Sequence, residues 1–170
     1  MKRIVFVFLG SCSLLFAQSK SSPIDTPLIT KSDWESTQSL TQNGAIKVML
    51  QANALATALN KKIAVAVLDA SGRPLLLTIA DGVGPHNFEA ARRKAFTALS
   101  TKTSTLLLSR NAKANPDTQN LNTLPELLLL GGGVPIIVDN KVIGSVGIAG
   151  AGGPEQDDAI AQDLVILFNK

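Results

Sequence analysis

Between Gly131 and Asp158 the chain reads Gly-Gly-Gly-Val-Pro-Ile-Ile-Val-Asp-Asn-Lys-Val-Ile-Gly-Ser-Val-Gly-Ile-Ala-Gly-Ala-Gly-Gly-Pro-Glu-Gln-Asp-Asp, and few folds absorb such a stretch. Two short apolar runs flank the polar turn Asp139-Asn140-Lys141, the pattern of a β-hairpin. The second run carries Gly144, Gly147 and Gly150 where side chains would normally pack. Glycine weakens a strand, so its repetition predicts a second backbone, or a ligand, lying close against it. The strand breaks at Gly152-Gly153, and Pro154 opens a helix with Glu155, Asp157 and Asp158 in its first turn. Proline suits that position because its missing N–H would be unpaired anyway, and acids complement the positive end of a helix.

The rest of the chain must supply a core for this hairpin. At 170 residues it is large enough for one domain with a buried interior. A hydrophobic content of 45% with 17% charged residues excludes a disordered chain. With six Phe, one Trp and no Tyr, that interior must be built from Leu, Ile, Val and Ala.

The first residues read as an export signal: Lys2 and Arg3 precede the apolar run Ile4 to Leu9, which resumes at Leu14 to Ala17. The run is short for a transmembrane helix, and cleavage near Ala17 predicts a periplasmic or secreted protein with no transmembrane span in its mature form. A second reading takes Leu9-Gly10-Ser11-Cys12 as a lipoprotein signal, which leaves Cys12 acylated and the protein anchored. Removing residues 1–17 takes two of the 16 basic residues and none of the 13 acidic ones, so the formal charge falls from +3 to about +1. A nucleic-acid partner then loses its electrostatic basis. Cys12, the one cysteine, leaves with the signal, excluding a disulfide, a thiolate metal site or a cysteine nucleophile.

Residues 18–39 read as a mobile N-terminal segment, with Trp34 pinned to the domain that follows over 40–170. From Leu40 to Asn60, Ala45, Ile46, Met49, Ala52, Leu55, Ala56 and Leu59 recur at helical spacing and predict one buried face. Ile63 to Leu68 reads as a buried strand, Asp69 to Pro74 as a turn, and Leu75 to Ala80 as the return strand. After the glycine-rich loop Asp81 to Pro85, a helix is expected from Phe88 to Lys102, capped by Asn87, with Phe88, Ala91, Ala95 and Leu99 inward. Arg92, Arg93 and Lys94 form a basic cluster on it, ordinarily a solvated face. Thr103 to Arg110 reads as a short helical turn and Asn111 to Thr123 as an ordered loop or lid. A last helix from Pro154 to Phe168 is apolar on more than one side, which predicts a subunit contact. The order α-β-β-α-β-β(-β)-α with hairpin-length connections predicts an α+β fold, an antiparallel sheet flanked by helices.

Three blocks carry a family resemblance: Val65 to Gly72; Asp81-Gly82 with Ala90 to Ala98; and Gly132 to Pro135 through Ile143 to Gly150 and on to Glu155-Gln156-Asp157. Over residues 41–165 the chain resembles the GlcG/HbpS-type haem-binding family, which includes the C-terminal domain of PduO proteins. The resemblance implies a profilin-like antiparallel sheet, homo-oligomers, haem as cofactor, roles in iron or redox sensing with a sensor-protein partner, and haem degradation in some members. Two departures stand out: Ala80 where members commonly carry Met before Asp-Gly, and Ala149 where Ser is frequent.

A haem iron takes His, Met, Cys or Tyr as an axial donor, and the mature chain offers His86 and Met49. Met49 falls on the apolar stripe of the first helix and reads as core, whereas His86 follows a glycine-rich loop at a helix start and is the expected iron ligand. Arg92, Arg93 and Lys94 are then the cations for haem propionates, with Thr97 and the backbone from Gly147 to Gly150 bordering the pocket. A single His without a nucleophile motif makes no hydrolytic triad, and Asp157 and Asp158 are explained by their place at a helix start. Three functions remain: an exported haem-binding protein, an enzyme acting on haem or a small organic acid, and an oligomeric structural or sensor-partner module without a cofactor.

Overall fold

The computed structural model describes residues 30–33 and 35–168, in two units divided after Glu35. The segment expected to be an export signal and Trp34 lie outside the described residues. In the first unit Lys31–Asp33 forms a single 3-10 turn, closed by the Thr30 N–H and hydroxyl donating to Asp33 Oδ2. The second unit carries the domain. No described helix is long and apolar enough to cross a membrane.

The second unit runs α1 (Gln42–Ala58), β1 (Ala64–Asp69), β2 (Pro74–Ile79), α2 (His86–Thr101), α3 (Thr105–Ala114), α4 (Pro116–Gln119), β3 (Gly133–Val138), β4 (Lys141–Ala149) and α5 (Pro154–Val165). Four antiparallel strands lie in the order β2-β1-β4-β3, giving the α+β fold expected from the sequence. The β3–β4 turn places Asp139 and Asn140 at φ +49 and +60, the left-handed pair that a two-residue hairpin of right-handed twist requires.

The sheet separates two unequal cores. On one side Val65, Val67, Val146 and Ile148 meet Ala45, Val48 and Ala52 of α1 and Ile160 and Leu164 of α5. Burying each such branched side chain contributes about 1.5–3 kcal/mol. On the other side Ala64, Ala66 and Ala149 meet Ala91 and Ala95 of α2, with Leu68 beside them and Leu77, Ala90 and Phe96 at the edge. Small residues on both partners bring α2 down onto the sheet. A Cβ on Gly147 would collide with the Ala91 carbonyl oxygen and stand 2.7 Å from the Ala95 nitrogen, and one on Gly133 would strike the Lys94 carbonyl. The close approach predicted from the glycines is therefore a helix backbone.

Several expectations are corrected. Ile46 and Leu59 of the first helix are 40% and 56% exposed, and Val48 takes the buried place, because the inward line of α1 runs through Ala45, Val48, Ala52 and Ala56. Helix α2 starts at His86, and Asn87 is not its cap; the Asn87 amide donates to the Gly84 carbonyl at 3.0 Å and so ties down the preceding loop. Phe88 points outward, 40% exposed. The segment after α2 is more helical than its polarity implied: the Ser104 hydroxyl accepts from the Leu107 N–H to start α3, and Asn115 caps α4 through the Asp117 N–H. The expected loop over 111–123 is thus mostly helical turns. The Ser39 hydroxyl accepts from the Ala70 N–H, and the Leu40 N–H donates to the Ile143 carbonyl of β4. Helix α5 stops at Val165, leaving Ile166 60% and Leu167 43% exposed in a final 3-10 turn.

A candidate cofactor pocket at the starts of two helices

Strand β4 ends at Ala149, and the glycine-rich link to α5 crosses in front of the first turn of α2. Gly150 and Gly152 take φ +104 and +122, which other residues rarely adopt. A Cβ on Gly150 would press on Val83 and on the Lys62 carbonyl, so glycine lets this link pass under the Asp81–Pro85 loop. Lys62 fastens the loop by donating to the Asp81 carbonyl at 3.0 Å. Between the two helix starts lies a cavity of about 330 Å³, lined by His86, Asn87, Ala90, Lys94, Gly150 and Asp157 among others.

His86 sits at its mouth, exposed. Its imidazole lies against Gly84, where a Cβ would stand 3.0 Å from Cε1, and among the described residues no hydrogen bond engages the ring. Lys94 lies deeper and is 1% exposed. Its ammonium donates to Asp157 Oδ2 at 2.7 Å and to the Ile148 carbonyl at 3.0 Å. The other Asp157 oxygen accepts from the Ala151 N–H at 2.8 Å. Burial pushes the Lys94 amine below its ordinary pKa, and the attraction of Asp157 and Asp158 recovers only part of that fall. Burial likewise pushes the Asp158 carboxyl up, against hydrogen bonds from Gln162 and the Gly132 N–H.

The structure thus brings His86, Lys94 and Gly150 to one cavity and leaves the other predicted site residues elsewhere. Arg92 is spanned by Glu89 and Glu126, at 2.8 and 2.9 Å, and these hydrogen bonds raise its pKa further. Arg93 donates to the Leu127 carbonyl at 2.6 Å. Thr97 is fully buried: its hydroxyl donates to the Arg93 carbonyl and accepts from the Leu128 N–H, pinning the segment before β3 onto α2. Gly147 serves the contact of α2 with β4. Met49 packs against the larger core. Among the described residues no group of three or more His, Cys, Asp or Glu is placed to hold a metal ion.

Sequence reading missed the Lys94–Asp157 pair, although periodicity marks both members. Lys94 shares the inward line of Ala91, Ala95 and Ala98, and Asp157 that of Ile160, Ala161 and Leu164. Two opposite charges on two buried stripes signal a pair across the core; their charge alone argued for solvent. Asp157 therefore does more than complement a helix start.

An antiparallel sheet with a small-residue face under one helix, and a pocket at its glycine-rich edge, defines a class of fold with known members. The sequence profile of the family described as haem degrading protein HbpS-like matches residues 40–165, and the chain belongs to that family. A 15.0 kDa protein from the dhaT-dhaS intergenic region of Citrobacter freundii is 30% identical over 129 residues, covering 74% of this chain and 90% of its own. Among solved structures, the Klebsiella pneumoniae protein ORFY superposes with a TM-score of 0.76 at 27% identity, over 84% of this chain and 98% of its own. HbpS follows at 0.75 and 29% identity, over 83% and 98%. A PduOC:haem complex gives 0.68 and 27% identity, over 77% and 96%.

Proposed function

We propose that this chain is an exported haem-binding protein that stores, senses or hands on haem, and that it holds the group at the pocket between the starts of α2 and α5. The observation that carries this reading is His86, an unengaged imidazole at the mouth of that cavity. Membership of the HbpS-like family and the likeness to a PduOC:haem complex support it. The volume is at the lower end for ligand sites, so the cavity takes one edge of a macrocycle rather than enclosing it.

Bound haem supplies an iron centre for redox or ligand chemistry. His86 offers a ring nitrogen to that iron, and Gly84 leaves the ring room to turn. Gly150 and Gly152 keep the wall free of side chains. Arg92 and Arg93, being engaged elsewhere, give up the propionate role expected of them. Lys61 takes it, since its amine reaches 3.3 Å from where a Cβ on Gly152 would stand. The assembly is a homo-oligomer, and a sensor protein is a further partner.

Haemin titration tests the site. The wild type gives a shifted Soret band, and His86→Ala weakens binding and changes that band; an unchanged spectrum refutes the ligand assignment. Reductant that releases iron with a bilin-like product extends the reading to catalysis. The mass of protein recovered from the cell envelope tests cleavage near Ala17.

A further inference from the structure

We propose that Lys94 is a carbonyl-capturing lysine, whose amine at the wall of the His86 pocket condenses with a small aldehyde to form an imine. The inference goes beyond haem binding and holds for the protein without haem.

Geometry carries it. A buried ion pair adds little stability over apolar side chains of the same size, so bracing α2 against α5 does not require one. Here both members line a cavity open to solvent. The amine uses two of its three protons, toward Asp157 and Ile148. On the side away from the cavity the Gly132 backbone packs close against the pair, since a Cβ there would stand 3.1 Å from Nζ and 2.7 Å from the Asp157 Cβ. About 330 Å³ of space accommodates a carbonyl compound of a few carbons in front of the pair.

The chemistry balances without an oxidant or reductant. The Lys94 ammonium gives a proton to Asp157 Oδ2, 2.7 Å away, and the neutral amine attacks the carbonyl carbon. A C–N bond forms as the carbonyl π bond opens, and the carbonyl oxygen takes the proton that the attacking nitrogen sheds. Asp157 gives its proton to the resulting hydroxyl, the C–O bond breaks, and one water leaves, so that the protonated imine faces the restored Asp157 carboxylate. Burial, which lowers the pKa of this amine, makes its neutral form more accessible than that of an exposed lysine.

The test treats haem-free protein with acetaldehyde and cyanoborohydride at neutral pH and maps alkylated peptides. Lys94 is expected to carry the adduct in the folded protein and to react faster than the exposed Lys47 and Lys113. Lys94→Arg keeps a cation for Asp157 but forms no imine; its circular dichroism should match the wild type while the Lys94 adduct disappears. Lys94 reacting no faster than Lys47 and Lys113 in the folded wild type, or reacting only after unfolding in urea, overturns the proposal and leaves the pair as a brace. Haemin binding is measured separately, so failure of either reading is visible without the other.

Discussion

Asp69 organises the turn between β1 and β2 with one carboxylate. Oδ1 accepts from the N–H groups of Ser71 and Arg73, each at 2.9 Å, and Oδ2 accepts from Arg73 Nε at 2.8 Å. Burial alone would raise its pKa, but the hydrogen bonds from the Arg73 backbone, the Arg73 side chain and Ser71 outweigh it and hold the carboxyl below its usual range. A folded-state pKa below the unfolded one contributes stability that is present above the unfolded value and is lost as pH falls through the folded one. Asp69→Ala, which strands two backbone donors, should cost about 1–3 kcal/mol at neutral pH in urea unfolding. Its deficit should shrink as acid removes the carboxylate from the wild type. A deficit of the same size in acid would show that the loss is not electrostatic.

At the scale of elements, the contact of α2 with β4 decides where the pocket lies. Helix and strand meet backbone to backbone at Gly147, and the Ala91 carbonyl occupies the space a methyl group would need. Gly147→Ala must lift α2 or bend β4, and should cost about 1–3 kcal/mol or more in chemical denaturation. It should also weaken haemin binding, since α2 carries His86 and Lys94. Ser145 lies two residues away on the same strand, with a buried hydroxyl that finds no hydrogen-bond partner among the described residues. Ser145→Ala should therefore be neutral or stabilising, and equal losses from the two substitutions would mean that tight packing at Gly147 is not special.

At the scale of the whole molecule, the proposed self-association can be tested at apolar side chains exposed among the described residues. Ile46 and Leu50 stand one turn apart on the same side of α1, 40% and 59% exposed, facing away from the core formed by Ala45, Val48 and Ala52. The protein should elute from size exclusion with light scattering above its monomer mass, which is 17.8 kDa for the full 170 residues. Ile46→Glu combined with Leu50→Glu should shift it toward the monomer while leaving circular dichroism unchanged. A monomeric wild type would remove this expectation, and an assembled double variant would place the contact on another face, such as that of Ile166 and Leu167.

Local rules were enough for much of the architecture. The Asp139-Asn140 turn, the Ile63–Leu68 run and the glycine spacing in β4 define the hairpins, because turn chemistry and period-two patterning act between near neighbours. The place of His86 at a helix start was legible for the same reason. What each charged residue does was not, because that depends on elements far apart in the chain. Only folding brings α5 across α2, turning Lys94 and Asp157 from a surface cation and a helix-start acid into a 2.7 Å pair at a pocket wall. Likewise only the assembled sheet shows that Gly147 makes room for a helix while Gly150 makes room for Val83 and the Lys62 carbonyl, since the two are identical to any rule that reads neighbours alone.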